Sequence, residues 1–429
     1  MIRRLAWAGL AVAIAAAPAR GQQPERVPAD TVPTGEIPAD ATAAEPDTTP
    51  ALPGVRIDTL DEEETQEGFP WVVAWPGWFG VVIDRYNRVD GLVPGGGIDL
   101  EPVEPGEVPE IGARVTLATT HDRLYWRAWL RQRVPAPWVL HAEVEYMQRA
   151  ATFDEWKYSG LENSLATFLA GRDRLDWWRE RGWRLSLETE SSRGRFGGGL
   201  AFLAVEQRSQ RNRDPFVLFG DGSFRPVPEV AEGDLRSLTL DARLDTRDVQ
   251  SPMLPAPGWW IRGEIERAGG VLGGDLEFTR ALLDARRYLR FGRDTWWDTR
   301  LVALAGDAGG FSDPDLPPQR LARLGGPGSL RGFDEGRFVD DDALQLSSAL
   351  RLPLPVTDPI ALFFLSWHAV GFVDAATVGD WESWHADVGA GISGVNIFSF
   401  LGVFVAQRIT DLDEDDAGPR FVVRLRRGL

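Results

Sequence analysis

The chain has 429 residues, a formal net charge of −18 and no cysteine. The acidic balance excludes nucleic acid as a partner, since phosphate binding needs a basic face. Without cysteine there is no disulfide framework, no zinc–thiolate site and no thiol nucleophile. Lys157 is the only lysine, whereas tryptophan (18) and phenylalanine (21) are abundant.

The first residues carry an address. Arg3 and Arg4 precede an apolar stretch from Leu5 to Ala17, and the small residues Ala17, Ala19 and Gly21 follow. That order predicts a cleavable secretory signal over residues 1–21, cut after Ala19 or Gly21. Residues 22–75 predict a disordered linker. Gln22 to Pro53 is rich in Pro, Ala, Thr, Asp and Glu, Asp61 to Glu64 prolongs the acidity, and such a segment buries too little apolar surface to offset chain entropy. Past the signal no apolar run approaches the roughly 18 residues of a membrane-spanning helix. A transmembrane β-barrel leaves no such run, because its strands are short and half polar.

From about residue 78 the dominant period is two, the period of a strand. Leu124, Trp126, Ala128 and Leu130 alternate with Arg123, Tyr125, Arg127, Trp129 and Arg131. Trp138, Leu140, Ala142, Val144 and Tyr146 alternate with His141, Glu143 and Glu145, and Leu238 to Asp245 and Trp259 to Glu266 behave alike. A soluble sandwich alternates too. Strands of about ten residues or more, enough to cross a bilayer when tilted, favour a membrane barrel over residues 76–429. So do aromatics near strand ends (Trp138, Tyr146, Trp259, Phe291, Trp296, Trp297), which resemble interfacial girdles.

Sixteen antiparallel strands are predicted, near 78–86, 90–99, 112–119, 123–133, 138–148, 181–190, 196–207, 235–246, 258–268, 275–289, 296–308, 342–353, 361–374, 384–393, 397–407 and 418–427. With the last strand ending in the periplasm, the long connections 149–180, 208–234, 309–341 and 408–417 fall outside and the short ones inside, the usual asymmetry of such barrels. Leu161, Leu165, Phe168 and Leu169 predict a helix over 161–179 in an outer loop, packed on the barrel mouth or docking a partner. In the thirteenth strand, parity puts Ser366, His368, Val370, Phe372 and Asp374 inside, and Phe363, Leu365, Trp367 and Val373 toward lipid.

Between the eleventh and twelfth strands lies Leu324-Gly325-Gly326-Pro327-Gly328-Ser329-Leu330-Arg331-Gly332-Phe333, followed by Asp334 to Phe338. Its glycines and proline predict a compact loop. It is not a phosphate loop, because no Lys-Ser/Thr follows and no helix is entered.

Here the chain resembles the BamA/TamA superfamily of outer-membrane assembly barrels, the bacterial surface antigen barrels. The family has a Gly-Gly stretch and an Arg-Gly-Phe/Tyr in its sixth outer loop, matched by Gly325, Gly326, Arg331, Gly332 and Phe333. The family's aromatic-x-Asp strand is matched by Phe372-Val373-Asp374. Tyr86 to Leu92 and Leu244 to Asp248 are also family-like. The resemblance implies that the loop folds back into the barrel and that Arg331 meets Asp374 on an inner wall. Three positions depart from the pattern: a Glu of the twelfth strand is Ala349, the Gly two after the Asp is Ala376, and the terminal Phe is Leu429. They imply a simpler Arg331 pair and an atypical assembly signal. The family normally carries POTRA domains before its barrel; residues 22–75 leave no room for one, so the chain resembles the subset without them.

The resemblance implies a non-enzymatic outer-membrane protein that assembles, inserts or translocates outer-membrane components. A client strand would add to the edge at a weak seam between first and last strands. Partners would be outer-membrane lipids, client outer-membrane proteins and periplasmic factors. The alternative is a passive channel lined by Arg123, Arg127, Glu143, Glu145, Asp241, Arg243, Arg262, Glu264 and Glu266. An enzyme is not expected. There are four histidines (His121, His141, His368, His385), no His-Glu-x-x-His and no Gly-x-Ser-x-Gly. No cofactor and no metal are expected.

Overall fold

A computed structural model describes residues 71–426, apart from 75–79, 105, 135–137, 192–193, 221, 248–255, 293–294, 309–315, 356–365, 380, 396–399 and 414–417. The predicted signal and all but the end of the linker lie outside the described residues, as do Phe363, Leu365 and Leu429.

A short strand β1 (Trp71–Ala74) comes first. The strands that follow are β2 (Val81–Asn87), β3 (Gly91–Pro102), β4 (Glu110–Ala118), β5 (Arg123–Val134), β6 (Val139–Ala151), β7 (Trp178–Glu190), β8 (Phe196–Ser209), β9 (Gly233–Asp245), β10 (Gly258–Ala268), β11 (Phe278–Phe291) and β12 (Thr295–Ala308). After the small hairpin β13 (Ala322–Leu324) and β14 (Phe338–Asp340), the sheet resumes with β15 (Ala343–Pro353), β16 (Ser366–Val378), β17 (His385–Val395), β18 (Phe400–Arg408) and β19 (Arg420–Arg426). Setting aside β1 and the hairpin, these are the sixteen strands the alternation predicts, each shifted by a few residues at most at its described ends.

Every neighbouring pair from β2 to β12, then β15 to β19, is antiparallel, with one shift of register, in β2 between Ile83 and Tyr86. β1 pairs with β3 at Asp99 to Pro102, just past the stretch of β3 that β2 occupies, so the end of the segment predicted as disordered linker is instead a strand, ordered by this pairing. Among the described residues no ladder joins β19 to β2. The sheet nevertheless curls until these two edges reach one helix, α1 (Gly160–Ala170), which comes from the β6–β7 connection and packs against both. Ser159 caps α1 by accepting the Glu162 N–H, and Gly171, in the left-handed region at φ 64°, ends it. The predicted helix is therefore cut short: residues 171–177 form an irregular arm, because the left-handed cap turns the chain and Asp173 takes up backbone N–H groups of Arg88 and Leu175.

The alternation sorts as the period demands. Leu124, Val144, Leu240 and Val373 are exposed on the outer face, while Tyr125, Glu145, Phe372 and Asp374 are buried inside. Trp126, Tyr146 and Trp183 form an outer aromatic row, with centroids 4.5 Å apart in each step. Not every aromatic belongs to a girdle. Trp296 is buried on the inner wall, its ring 5.1 Å from that of His368. The one-residue difference from Trp297, which is 43 % exposed, is the strand parity itself.

Charges on the inner face are paired. Arg127 meets Glu143 and Glu145 at 3.1 and 2.6 Å, and Arg300 meets Asp284 at 2.7 Å. Long connections from the same end reach the inner wall. Arg300 also donates to the Trp156 carbonyl at 2.9 Å, and Arg320 of the β12–β13 connection meets Glu266 of β10 at 3.0 Å.

Candidate functional site

The site is the loop 325–337, framed by the β13–β14 ladder and folded against the inner wall. An apolar patch on that wall receives it. Leu282, Val302, Leu304, Ala343 and Ala376 of four strands pack with Leu324, Leu330 and Phe333. The uninterrupted apolar run Leu301 to Ala305 in β12 is the sequence trace of this burial, since a strand covered on both faces has no reason to alternate.

Within the loop the turns are closed locally. The Ser329 hydroxyl accepts the Gly325 N–H at 2.8 Å and donates to the Gly325 carbonyl at 2.9 Å, so it is occupied structurally. Gly326 N–H donates to the Phe333 carbonyl at 3.1 Å. Gly325 lies at φ 110°, and a Cβ there would come within 2.1 Å of the Asp334 carbonyl oxygen; only glycine fits.

Arg331 makes a two-pronged contact with Asp374: Nε to Oδ2 at 2.7 Å and Nη2 to Oδ1 at 3.0 Å. Such a fork is the strong, orienting form of a charge-assisted hydrogen bond. Its guanidinium lies 3.6 Å from the ring centroid of Phe372 and 5.7 Å from that of Phe404. Space for these rings comes from β17, where Gly389 stands opposite Phe372 and Gly391 opposite Phe404. A Cβ at Gly389 would sit 2.3 Å from the Phe372 ring, and one at Gly391 2.7 Å from Phe404. Ala349, on the rung of Phe372 in β15, adds to the same apolar floor.

Two residues not anticipated from the sequence complete the clasp. Gly332 N–H donates to Asp387 Oδ2 at 2.9 Å, and Arg408 Nε donates to the Gly332 carbonyl at 2.9 Å. Arg408 is buried and lies 4.6 Å from the Phe333 ring centroid. Asp374, Asp387 and Arg408 are direct neighbours on one rung of β16, β17 and β18. A Cβ at Gly332 would meet Asp387 Cβ at 2.8 Å, so the glycine sets how close the loop backbone comes to the wall. The site is thus richer than the simple pair expected, because the neighbouring strands β17 and β18 supply an acid, Asp387, and a base, Arg408. The signal for Asp387 was present but weak: it starts the inner-face series Asp387, Gly389, Gly391, Ser393, an acid heading a row of small residues.

The far side of the loop leans on the β6–β7 connection. Tyr158 accepts the Gly328 N–H at 2.9 Å and donates to Glu335. Lys157 pairs with Asp154 at 3.0 Å and donates to the Arg323 carbonyl at 3.0 Å. Burial pushes the Glu335 carboxyl above the usual carboxylate range, against the pull of Lys157 and Tyr158. Asp176 behaves oppositely: burial raises it, but Arg225, Arg88 and Arg323 hold it below the usual range.

The geometry can be set beside known proteins. Residues 229–393, from the approach to β9 into β17, match the Omp85 superfamily domain. The chain is an antiparallel β-barrel, and this part of it is similar to the Omp85 superfamily domain. Its fold is similar to the crystal structure of BamA from Haemophilus ducreyi lacking POTRA domains 1–3, with 14% identity and a TM-score of 0.52 over 79% of this chain and 68% of that one. CdiB from Acinetobacter baumannii (15% identity, TM-score 0.41, 80% of this chain and 58% of that one) and CdiB from Escherichia coli (14%, 0.42, 83% and 63%) are also similar. No curated protein matches the chain. The Omp85 match includes Arg331, Asp374 and Asp387 and stops before Arg408.

Among the described residues no group of three His, Cys, Asp or Glu is placed to hold a metal ion. His368 faces Trp296, and His385 stacks on Phe338 at 3.8 Å while meeting Asp411 at 2.8 Å.

Proposed function

We propose that this barrel is non-enzymatic and assembles, inserts or translocates outer-membrane components through the seam between β19 and β2. One observation carries the reading. Side chains from one connection reach the backbones of both edge strands: Ser164 takes the Tyr86 N–H at 3.0 Å and Arg174 donates to the Val423 carbonyl at 3.4 Å. An edge held by side chains can be yielded to an incoming strand at lower cost than a hydrogen-bonded ladder. The Arg331 loop, in this reading, stiffens the wall of β15 to β18 against which the seam opens. Clients would be outer-membrane proteins, with lipids and periplasmic factors as further partners. Residues 1–21 would act as the secretory signal, and the segment from residue 22 up to β1 as a linker to the barrel.

The absence of native cysteine makes the test clean. Cysteines at Ile83 in β2 and Val423 in β19, joined by a bifunctional thiol reagent, should stop insertion of a client barrel into proteoliposomes. Insertion at the uncrosslinked rate would sink the proposal. Steady porin-level conductance of the wild-type protein in planar bilayers would favour the passive-channel alternative.

A further inference from the structure

The helix α1 is built with its polarity reversed. Glu162, Asn163 and Thr167 are at most 3 % exposed, whereas Leu161, Leu165 and Leu169, spaced four apart along the opposite face, are 53, 37 and 38 % exposed. A helix lying between protein and water buries its apolar stripe and wets its polar one. Here the polar stripe is satisfied inside: Glu162 is reached by Arg424 of β19 at 2.7 Å and by Arg174 at 3.2 Å, and Asn163 donates to Asp173 at 2.9 Å.

The apolar stripe is extended by a second segment. Leu218 and Phe219 N–H groups donate to the Phe168 and Leu169 carbonyls, each at 2.9 Å, which fastens 216–219 along the end of α1. Phe216 and Phe219 are 66 and 68 % exposed. Tyr86 joins the surface from β2: its ring meets that of Phe168 at 5.5 Å and its hydroxyl donates to the Phe216 carbonyl. The irregularity in β2 between Ile83 and Tyr86 shifts the parity there, so that Arg85 turns toward Tyr125 and Trp177. On either side stand exposed wall residues, Val81 and Ile83 on β2 and Phe421 and Val423 on β19. The patch is therefore continuous with the lipid-facing surface of both edge strands.

We propose that α1 with residues 216–219 is a wedge set into the upper seam, its polar face fastened to β2 and β19 and its apolar face in contact with lipid acyl chains. The wedge stands whether or not the seam handles clients. Contact with lipid explains both stripes at once, since acyl chains leave apolar side chains no reason to turn inward while every polar group must find a partner in the protein. A second protein chain would bury the same patch, and water would leave it unexplained.

The test uses full-length protein in phospholipid vesicles, with a nitroxide label on Leu165→Cys and collision with oxygen and with a water-soluble nickel complex as readout. The label at 165 should give an oxygen-to-nickel accessibility ratio matching that of Val423→Cys on the wall, well above that of Leu412→Cys on an outer loop. A ratio matching position 412 would overturn the proposal, and so would a label shielded from both reagents, the sign of a protein covering the patch. Should Leu165→Cys fail to fold, Leu161→Cys carries the same prediction on the same face.

Discussion

Two sectors of the barrel are held by opposite means. From β15 to β18 the wall is a continuous ladder, and the loop 325–337 is fixed to it by Asp374, Asp387 and Arg408 on a single rung. From β19 to β2 the fastening passes through side chains of a connection more than 70 residues from either strand in sequence, judged by the Ser164–Tyr86 and Arg424–Glu162 contacts. The first sector spends its charged groups on holding a loop still. The second spends them on fastening one helix to both edge strands. Buried ion pairs suit both tasks, because removing one partner is expensive while the pair itself contributes little net stability.

That contrast can be broken at several points. The largest effect is expected from Arg331→Ala, which leaves Asp374 buried without its fork and should weaken docking of the loop by about 3–5 kcal/mol. Planar-bilayer conductance should rise as the loop leaves the lumen, and an unchanged conductance would show that the rest of the clasp suffices. Gly332→Ala should cost about 1–3 kcal/mol through the clash with Asp387. It should lower the temperature of heat-modified mobility on gels without opening the seam, which separates the two sectors. The smallest effect is on pH. Because burial raises the Glu335 carboxyl, the docked loop binds a proton more readily than the free loop. Docking is then tightest below the ordinary carboxylate range and weakens as pH rises through the raised value. Lys157, Tyr158, Arg174 and Arg225 face this carboxyl and oppose the shift. Hydrogen exchange over 325–337 should speed up with pH beyond its intrinsic dependence, and Glu335→Gln should flatten that excess.

The wall was legible because its rule is local. A strand repeats every two residues, so strands such as 123–133, 138–148 and 235–246 could be placed from their own alternation, and parity alone put Phe372 and Asp374 inside. Where the structure departs from the sequence expectation, a distant contact is responsible. Trp296 left the girdle for the inner wall beside His368, and α1 stopped at Ala170 where Gly171 turns the chain toward Asp173 and Arg88. The motif around Arg331 announced an inward loop, but its partners Asp387 and Arg408 lie 55 and 76 residues from Gly332 and carry no motif of their own.

By itself the sequence determined the sixteen strands and the inner face of the thirteenth, and its motif pointed to a glycine-rich loop whose arginine belongs against Asp374. Only the tertiary structure decided the rung on which Asp374, Asp387 and Arg408 align, since register between three strands is not written in any one of them. It also decided what stands at the seam. Leucines at helical spacing promise a helix, but not which way it faces; that was settled when Arg424, Arg174 and Asp173 offered the polar side of α1 buried partners and left Leu161, Leu165 and Leu169 pointing out.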